Sequence, residues 1–316
     1  MKVKALDTQK TRNVERCEEK LTQKVRDINW TGIAFVAPSV IVVVALLFYP
    51  LGSSIHYSLT NKNLIKANYE LVGLDNFIRL LNDPTFWQAF GTSIKWTTLS
   101  IVGQLALGFV LAMALNRIRH LSALFRTLLI IPWAFPAVII GFGWKWILND
   151  VYGVVPNTLA NLGLTDGLIA LLASPKTAFW VVLYINIWFG TPLFMVNILS
   201  ALKTVPGDQI EAATVDGANA WKRFYYITLP HIRAVIGLLV VLRTIWVFNN
   251  FDLLFLITGG GPGDATMTLP IFAYRTGWGL KQLGTASAVT ILLLIFLILV
   301  ASILFRFISR WEKETS

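Results

Sequence analysis

The chain has 316 residues, of which 55% are hydrophobic and only 14% charged, with a mean hydropathy of +0.64. Soluble domains carry about 25% charged residues, so a soluble fold is excluded. The formal charge of +10, from 27 Lys and Arg against 17 Asp and Glu, suits anionic lipid headgroups and not nucleic acid, because the charges are confined to segments between apolar runs. With one cysteine, Cys17, neither an intrachain disulfide nor a cysteine-based metal site can form.

Residues 1–29 are polar, so no cleavable secretory signal is expected and this stretch reads as a cytoplasmic tail. From Lys10 to Arg26 the charges alternate in sign (TRNVERCEEKLTQKVR), which suits a solvated helix lying at the membrane surface. Beyond it, a bilayer core of ~30 Å takes about 20 helical residues. Six runs qualify: Trp30 to Pro50, Ala89 to Leu115, Ala123 to Ile147, Thr177 to Leu202, His231 to Ile257 and Thr285 to Ile308. The fold class is therefore an all-α membrane protein with six transmembrane helices across residues 30–309. An even number of spans puts both termini on one side. Eighteen of the Lys and Arg fall on that side, eight on the other, and Arg243 alone lies deep in a span. Retention of basic residues in the cytoplasm makes both termini, including the tail 310–316, cytoplasmic. Several tryptophans, among them Trp30, Trp96, Trp144 and Trp278, are expected at headgroup level; Trp133, Trp188 and Trp246 fall inside spans. Pro132 and Pro136 should bend the third span.

Between the fourth and fifth spans, residues 203–230 describe two short helices. Pro206 suits a helix start, Asp208 and Glu211 complement the positive end, and Gly217 can adopt the left-handed conformation that ends a helix. Asn219 then caps a second helix carrying Trp221, Phe224, Tyr225 and Thr228 on one face, and Pro230 opens the fifth span.

A cation inside a span is costly unless it faces a bundle interior. Arg243 lies twelve residues past His231, about 18 Å along the axis. Trp246 and Asn250, at i+3 and i+7, share its face. A cation, an aromatic plane and an amide suit a sugar, whose apolar face lies on the ring while its hydroxyls find directional partners. On the preceding span Asn186 and Gly190 lie one turn apart. Interhelical hydrogen bonding without substrate is the competing reading for Asn186 and Asn250, and a structural pair with a partner's carboxylate or carbonyl is the competing reading for Arg243. No GxxxxGK[ST] occurs, so no nucleotide site is expected; Gly259 to Asp264 (GGGPGD) lacks the lysine and reads as an external turn. His56, His120 and His231 have no metal-ligand spacing.

The series Glu211-Ala212-Ala213, Asp216-Gly217-Ala218, Ile227, Leu229 and Pro230 (EAAxxDGA, then IxLP) resembles the signature loop of permease subunits of bacterial ABC importers. LVGLDNF from Leu71, DPTFW from Asp83, NNFD from Asn249 and TGGGP from Thr258 resemble the sugar-importer branch that contains the maltose permeases. This resemblance, covering about Ala34 to Arg310, implies an importer of a sugar or small oligosaccharide. It implies a second, different permease, two ATPase subunits that use ATP and Mg, an external solute-binding protein, and the bacterial inner membrane. No cofactor would be bound by this chain, which would not be an enzyme by itself. It also implies that the loop forms a coupling helix seated in an ATPase cleft, with Glu211 paired to a cation there; an interfacial loop lying on lipid is the alternative. Asn186, Phe189, Gly190, Arg243, Trp246 and Asn250 fall at positions similar to those lining the sugar site of maltose-type permeases. Arg243 and Val247 depart from the small hydroxyl and amide residues there, and the departure of Arg243 admits sugar acids and phosphorylated polyols. The rival classes are a stand-alone secondary carrier with Arg243 and Asp252 as coupling charges, and a membrane scaffold without transport.

Overall fold

The computed structural model describes residues 30–118 and 120–313, with side chains for 32–118 and 120–309. The expected surface helix from Lys10 to Arg26 lies outside the described residues. The chain divides into two units, Met1–Ser53 and Ser54–Ser316. The described part of the first unit is most of α1 (Trp30–Ser58), a 29-residue apolar helix that contains Pro38 and Pro50. Instead of ending at Pro50, it runs two further turns. Its last carbonyls are taken up by side chains: the Ser58 hydroxyl donates to Ile55 O at 2.7 Å, and the Thr60 hydroxyl to Tyr57 O at 2.9 Å.

The loop that follows is ordered by Asn76 on α2 (Asp75–Leu81). Its buried amide donates to Ser58 O and Thr60 O, both at 2.8 Å, and accepts from the Thr285 hydroxyl at 3.2 Å. α3 (Pro84–Arg117) starts five residues before the expected Ala89, because Asp83 accepts from Thr85 N at 2.8 Å and Pro84 needs no donor partner in the first turn.

The third span is two helices, α4 (Ser122–Ala134) and α5 (Ala137–Ile147), meeting at 90°. Pro132 stays within α4, and the break falls at Phe135-Pro136. Phe135 is extended, and Pro136 O accepts the first amides of α5, from Ile139 at 3.0 Å and Ile140 at 3.2 Å. A short α6 (Val154–Asn161) precedes α7 (Pro175–Leu202).

Next come α8 (Gly207–Val215) and α9 (Ala220–Arg223), the latter continuing through a π turn (Phe224–Thr228) into α10 (Leu229–Phe248). The expected boundary at Pro230 is absent, and one helix runs from Ala220 to Phe248. The Leu229 amide reaches back to Phe224 O, which widens the turn where the Pro230 ring and its missing amide hydrogen would disrupt an ordinary α-helical turn. The fifth span also stops nine residues short of the expected Ile257. The chain breaks at Asn249–Phe251, and α11 (Asp252–Thr258) packs against α5 as a separate element. α12 (Leu269–Tyr274) and a second π turn (Arg275–Gly279) lead to α13 (Leu283–Lys313). Five helices are long and apolar enough to cross a membrane, six if the bent α4–α5 pair is one span. Among the described residues there is no β-strand, only an isolated bridge between Thr60 and Leu71.

α3 and α7 form the most extensive pairing, and α10 packs on both and on α13. Two buried apolar clusters result. One gathers Phe86, Trp96, Ile185, Phe248, Leu254 and Met267; the other gathers Ala112, Leu115, Phe194, Ile198, Ile232 and Leu239. Trp96, expected at headgroup level, is 1% exposed inside the first cluster. Along α7 and α10, the first cluster ends and the second begins at Asn186–Gly190 and at Arg243.

Candidate functional site

Arg243, Gln104, Asn186 and Ser100 join the three central helices at the junction of the two clusters. Arg243 is 7% exposed and the other three are fully buried. Its guanidinium donates twice to one acceptor, Gln104 Oε1, from Nη2 at 2.7 Å and from Nε at 3.1 Å. The other end of the same carboxamide donates to Asn186 O at 2.9 Å, and Asn186 Nδ2 donates to Ser100 Oγ at 2.8 Å. α3, α7 and α10 are thus connected through one amide.

Gly190 makes this arrangement sterically feasible. A Cβ there would come within 2.5 Å of Arg243 Nη2 and closer still to the Gln104 carboxamide. The close approach expected at Gly190 is present, and the neighbour is side chain from the same chain.

The sequence-derived group does not converge as a single surface. Arg243 turns inward with Leu239 and Val247, whereas Trp246 is 54% exposed. The two therefore point to different surroundings, because an i+3 step rotates the helix face by about 60°. Phe189 is half-buried against the first apolar cluster. Asn250 sits in the break after α10, with its backbone amide bonded to Val247 O at 3.1 Å and its side-chain Oδ1 buried without a partner. Gln104 and Ser100 were not among the sequence candidates. A glutamine in the middle of an apolar run is as anomalous as an arginine, and that signal was present in SIVGQLALG.

The second constellation is the loop between the fourth and fifth spans. α8 begins at Gly207, with Pro206 just outside it and Asp208 in its first turn. It ends as expected: Gly217 has φ +78°, Ala218 N donates to Ala213 O at 2.9 Å, and Gly217 N donates to Thr214 O at 3.1 Å. These two bonds satisfy the last carbonyls around a left-handed residue. Asn219 caps the next helix by accepting from Lys222 N at 2.9 Å, and Arg223 Nη1 donates back to the Thr214 hydroxyl at 2.5 Å. No α8 residue is buried; Glu211 and Ala212 are exposed, Val215 is 89% exposed, and Glu211 has no ion-pair partner among the described residues. The aromatic face expected beyond Asn219 is divided. Phe224 packs edge-on against Phe109 of α3 at 5.7 Å, while Trp221 and Tyr225 are 79% and 61% exposed. Leu229 and Pro230 lie inside the continuous helix.

Among the described residues no group of His, Cys, Asp and Glu could hold a metal. The described residues thus form a multi-span helical bundle with a buried polar junction and an exposed short helix between the fourth and fifth spans. The family model of the binding-protein-dependent transport system inner membrane component matches residues 104–314, and the chain belongs to that family. The inner membrane ABC transporter permease protein YcjO of Escherichia coli is 33% identical over 276 residues, spanning 86% of this chain and 92% of that protein. The trehalose/maltose transport system permease protein MalF of Thermococcus litoralis is 30% identical over 283 residues, spanning 90% and 95%. In fold, the chain is similar to a subunit of a bacterial ABC transporter involved in the import of alginate, with a TM-score of 0.79 at 22% identity over 92% of this chain and 99% of that one. The chain is a multi-pass membrane permease of the ABC importer type, and these relatives do not favour a stand-alone secondary carrier.

Proposed function

We propose that the chain is one of two transmembrane permeases of an ATP-driven importer that carries a sugar or small oligosaccharide into the cytoplasm. A second, different permease, two ATPase subunits and an external solute-binding protein complete the assembly, and ATP with Mg is used by the ATPases. Both termini and the loop 203–230 lie in the cytoplasm, in keeping with the excess of Lys and Arg on that side.

The observation that carries this reading is α8, an exposed helix whose Glu211, Ala212 and Ala213 stand in the EAA spacing and whose end is fixed by Gly217. A short helix with no buried residue gains its stability and its use from a partner surface. In this reading Glu211 meets a cation of the ATPase, with Asp216, Gly217 and Ala218 shaping the turn that seats it. The sugar class follows the trehalose/maltose permease among the relatives, together with the Arg243 cation and the unpartnered acceptor of Asn250. Closure of the ATPases moves the docked helices, and the permeases convert that movement into alternating exposure of the path.

The test is affinity purification of the tagged chain from its native membrane, identification of the subunits that accompany it, and an ATPase assay of native and Glu211→Ala complexes. An ATPase and a second permease should co-purify, and in the variant substrate-stimulated hydrolysis should be lost. A chain that purifies alone and still moves solute in vesicles would refute the assignment.

A further inference from the structure

Arg243 is a buried cation without a counter-charge among the described residues. No Asp or Glu occurs on α3, α7 or α10, the three helices joined at this junction, nor on α1, α4 or α5. The partner of its Nε and Nη2 is a neutral amide oxygen, and Nη1 makes no hydrogen bond among the described residues. A guanidinium inside a membrane-spanning helix is costly. That cost is tolerated where an anion neutralises the charge.

The surroundings are built to hold the guanidinium in place. Gln104 fixes it through two bonds to one oxygen, the far end of that amide is tied to Asn186 O, and Gly190 leaves the volume they occupy. Asn250 Oδ1, about 10 Å further along by residue spacing, is a buried acceptor without a donor. An unmet donor-only cation and an unmet acceptor are complementary to a ligand that brings an oxyanion and hydroxyl groups together.

We propose that the imported sugar is anionic and that Arg243, oriented by Gln104, neutralises its oxyanion during passage. This inference rests on the sugar-importer reading. Gln104 acts as a positioning residue: its neutral oxygen holds the guanidinium without satisfying its charge, which leaves that charge for the substrate. A glutamate at the same position would be nearly the same shape and would supply the missing counter-charge internally.

The test uses the co-purified complex with its binding protein in proteoliposomes, offered labelled mono- to tetrasaccharide uronic acids, their carboxyl-reduced neutral counterparts, and sugar phosphates and sulfonated sugars. The native complex should accumulate anionic members at least ten-fold over their neutral counterparts in an ATP-dependent manner, and the arms identify which oxyanion is accepted. Gln104→Glu, in complexes that still co-purify intact, should cut anionic uptake at least ten-fold, since it supplies the counter-charge internally. Arg243→Lys keeps the charge and should retain the preference at a lower rate. Neutral sugars imported as well as acidic ones by the native complex would overturn the proposal and leave the sugar-importer reading intact. Anionic uptake at the native rate by Gln104→Glu, or an unchanged preference in Arg243→Met, would assign Arg243 a purely structural role. No ATP-dependent uptake of any sugar would instead sink the sugar-importer reading itself.

Discussion

Gln104 serves two helices with one carboxamide, and this dual use decides what its loss would do. Replacing it by leucine strands the Arg243 guanidinium and removes the second hydrogen bond to Asn186 O. A hydrogen bond to a charged group contributes about 1.5–3 kcal/mol, and leaving a buried group unpaired adds to the cost. Gln104→Leu should therefore lower the midpoint of thermal unfolding in detergent by several degrees. The double variant Gln104→Leu with Arg243→Leu should recover part of that loss, because the unpaired charge is gone. An unchanged midpoint in the single variant would mean that water or a lipid headgroup already satisfies Arg243. Arg243, Asn186 and Asn250 were legible in the sequence because a charge or an amide stands out in an apolar run. Their partners were not, because Gln104 is 139 residues from Arg243 and 82 from Asn186, and only the packing of three helices brings those positions together.

At the scale of elements, the turn at Gly217 couples local backbone chemistry to the proposed docking helix. A β-branched residue is strained at φ +78°, with a cost of about 1–2 kcal/mol. Gly217→Val should reorient α8 and abolish substrate-stimulated ATPase activity, while Gly217→Asn, which tolerates the left-handed region, should retain a measurable part of it. Equal activities for the two variants would show that the turn geometry is not what matters. The end of α8 and the Asn219 cap were legible because glycine and asparagine act within a few residues of themselves. The junction at Pro230 was not. A proline signals a helix start in sequence, and only the π turn before it lets the helix continue. The outer end of the fifth span was overextended for a related reason: the apolar residues of α11 continue the pattern of α10, and the break at Asn249–Phe251 is made by packing of α11 on α5.

For the whole molecule, the six spans were readable from hydropathy, since a backbone in lipid must satisfy itself and few architectures permit that. The 90° break in the third span was legible only as a bend at the prolines, because residue type marks a break without fixing its angle. The proposed topology makes a direct prediction. With Cys17→Ser as background, a cysteine at exposed Asn82 should react with a membrane-impermeant maleimide added outside intact spheroplasts, and one at exposed Lys203 should react only after the membrane is opened. The opposite pattern would invert the chain and place α8 out of reach of any cytoplasmic ATPase.

The uninterrupted helix from Ala220 to Phe248 carries one further implication. Beyond the π turn, from Leu229 to Arg243 is 14 residues, about 21 Å of regular α-helix. A push at the cytoplasmic end is carried along that regular stretch, and a tilt of about five degrees carries one end about 2 Å relative to the other by that length. A guanidinium held by hydrogen bonds of 2.7 and 3.1 Å would lose them over such a distance. The machine would then act as a lever whose far arm releases a charge, with timing set by the stroke of the motor and not by diffusion of a flexible linker.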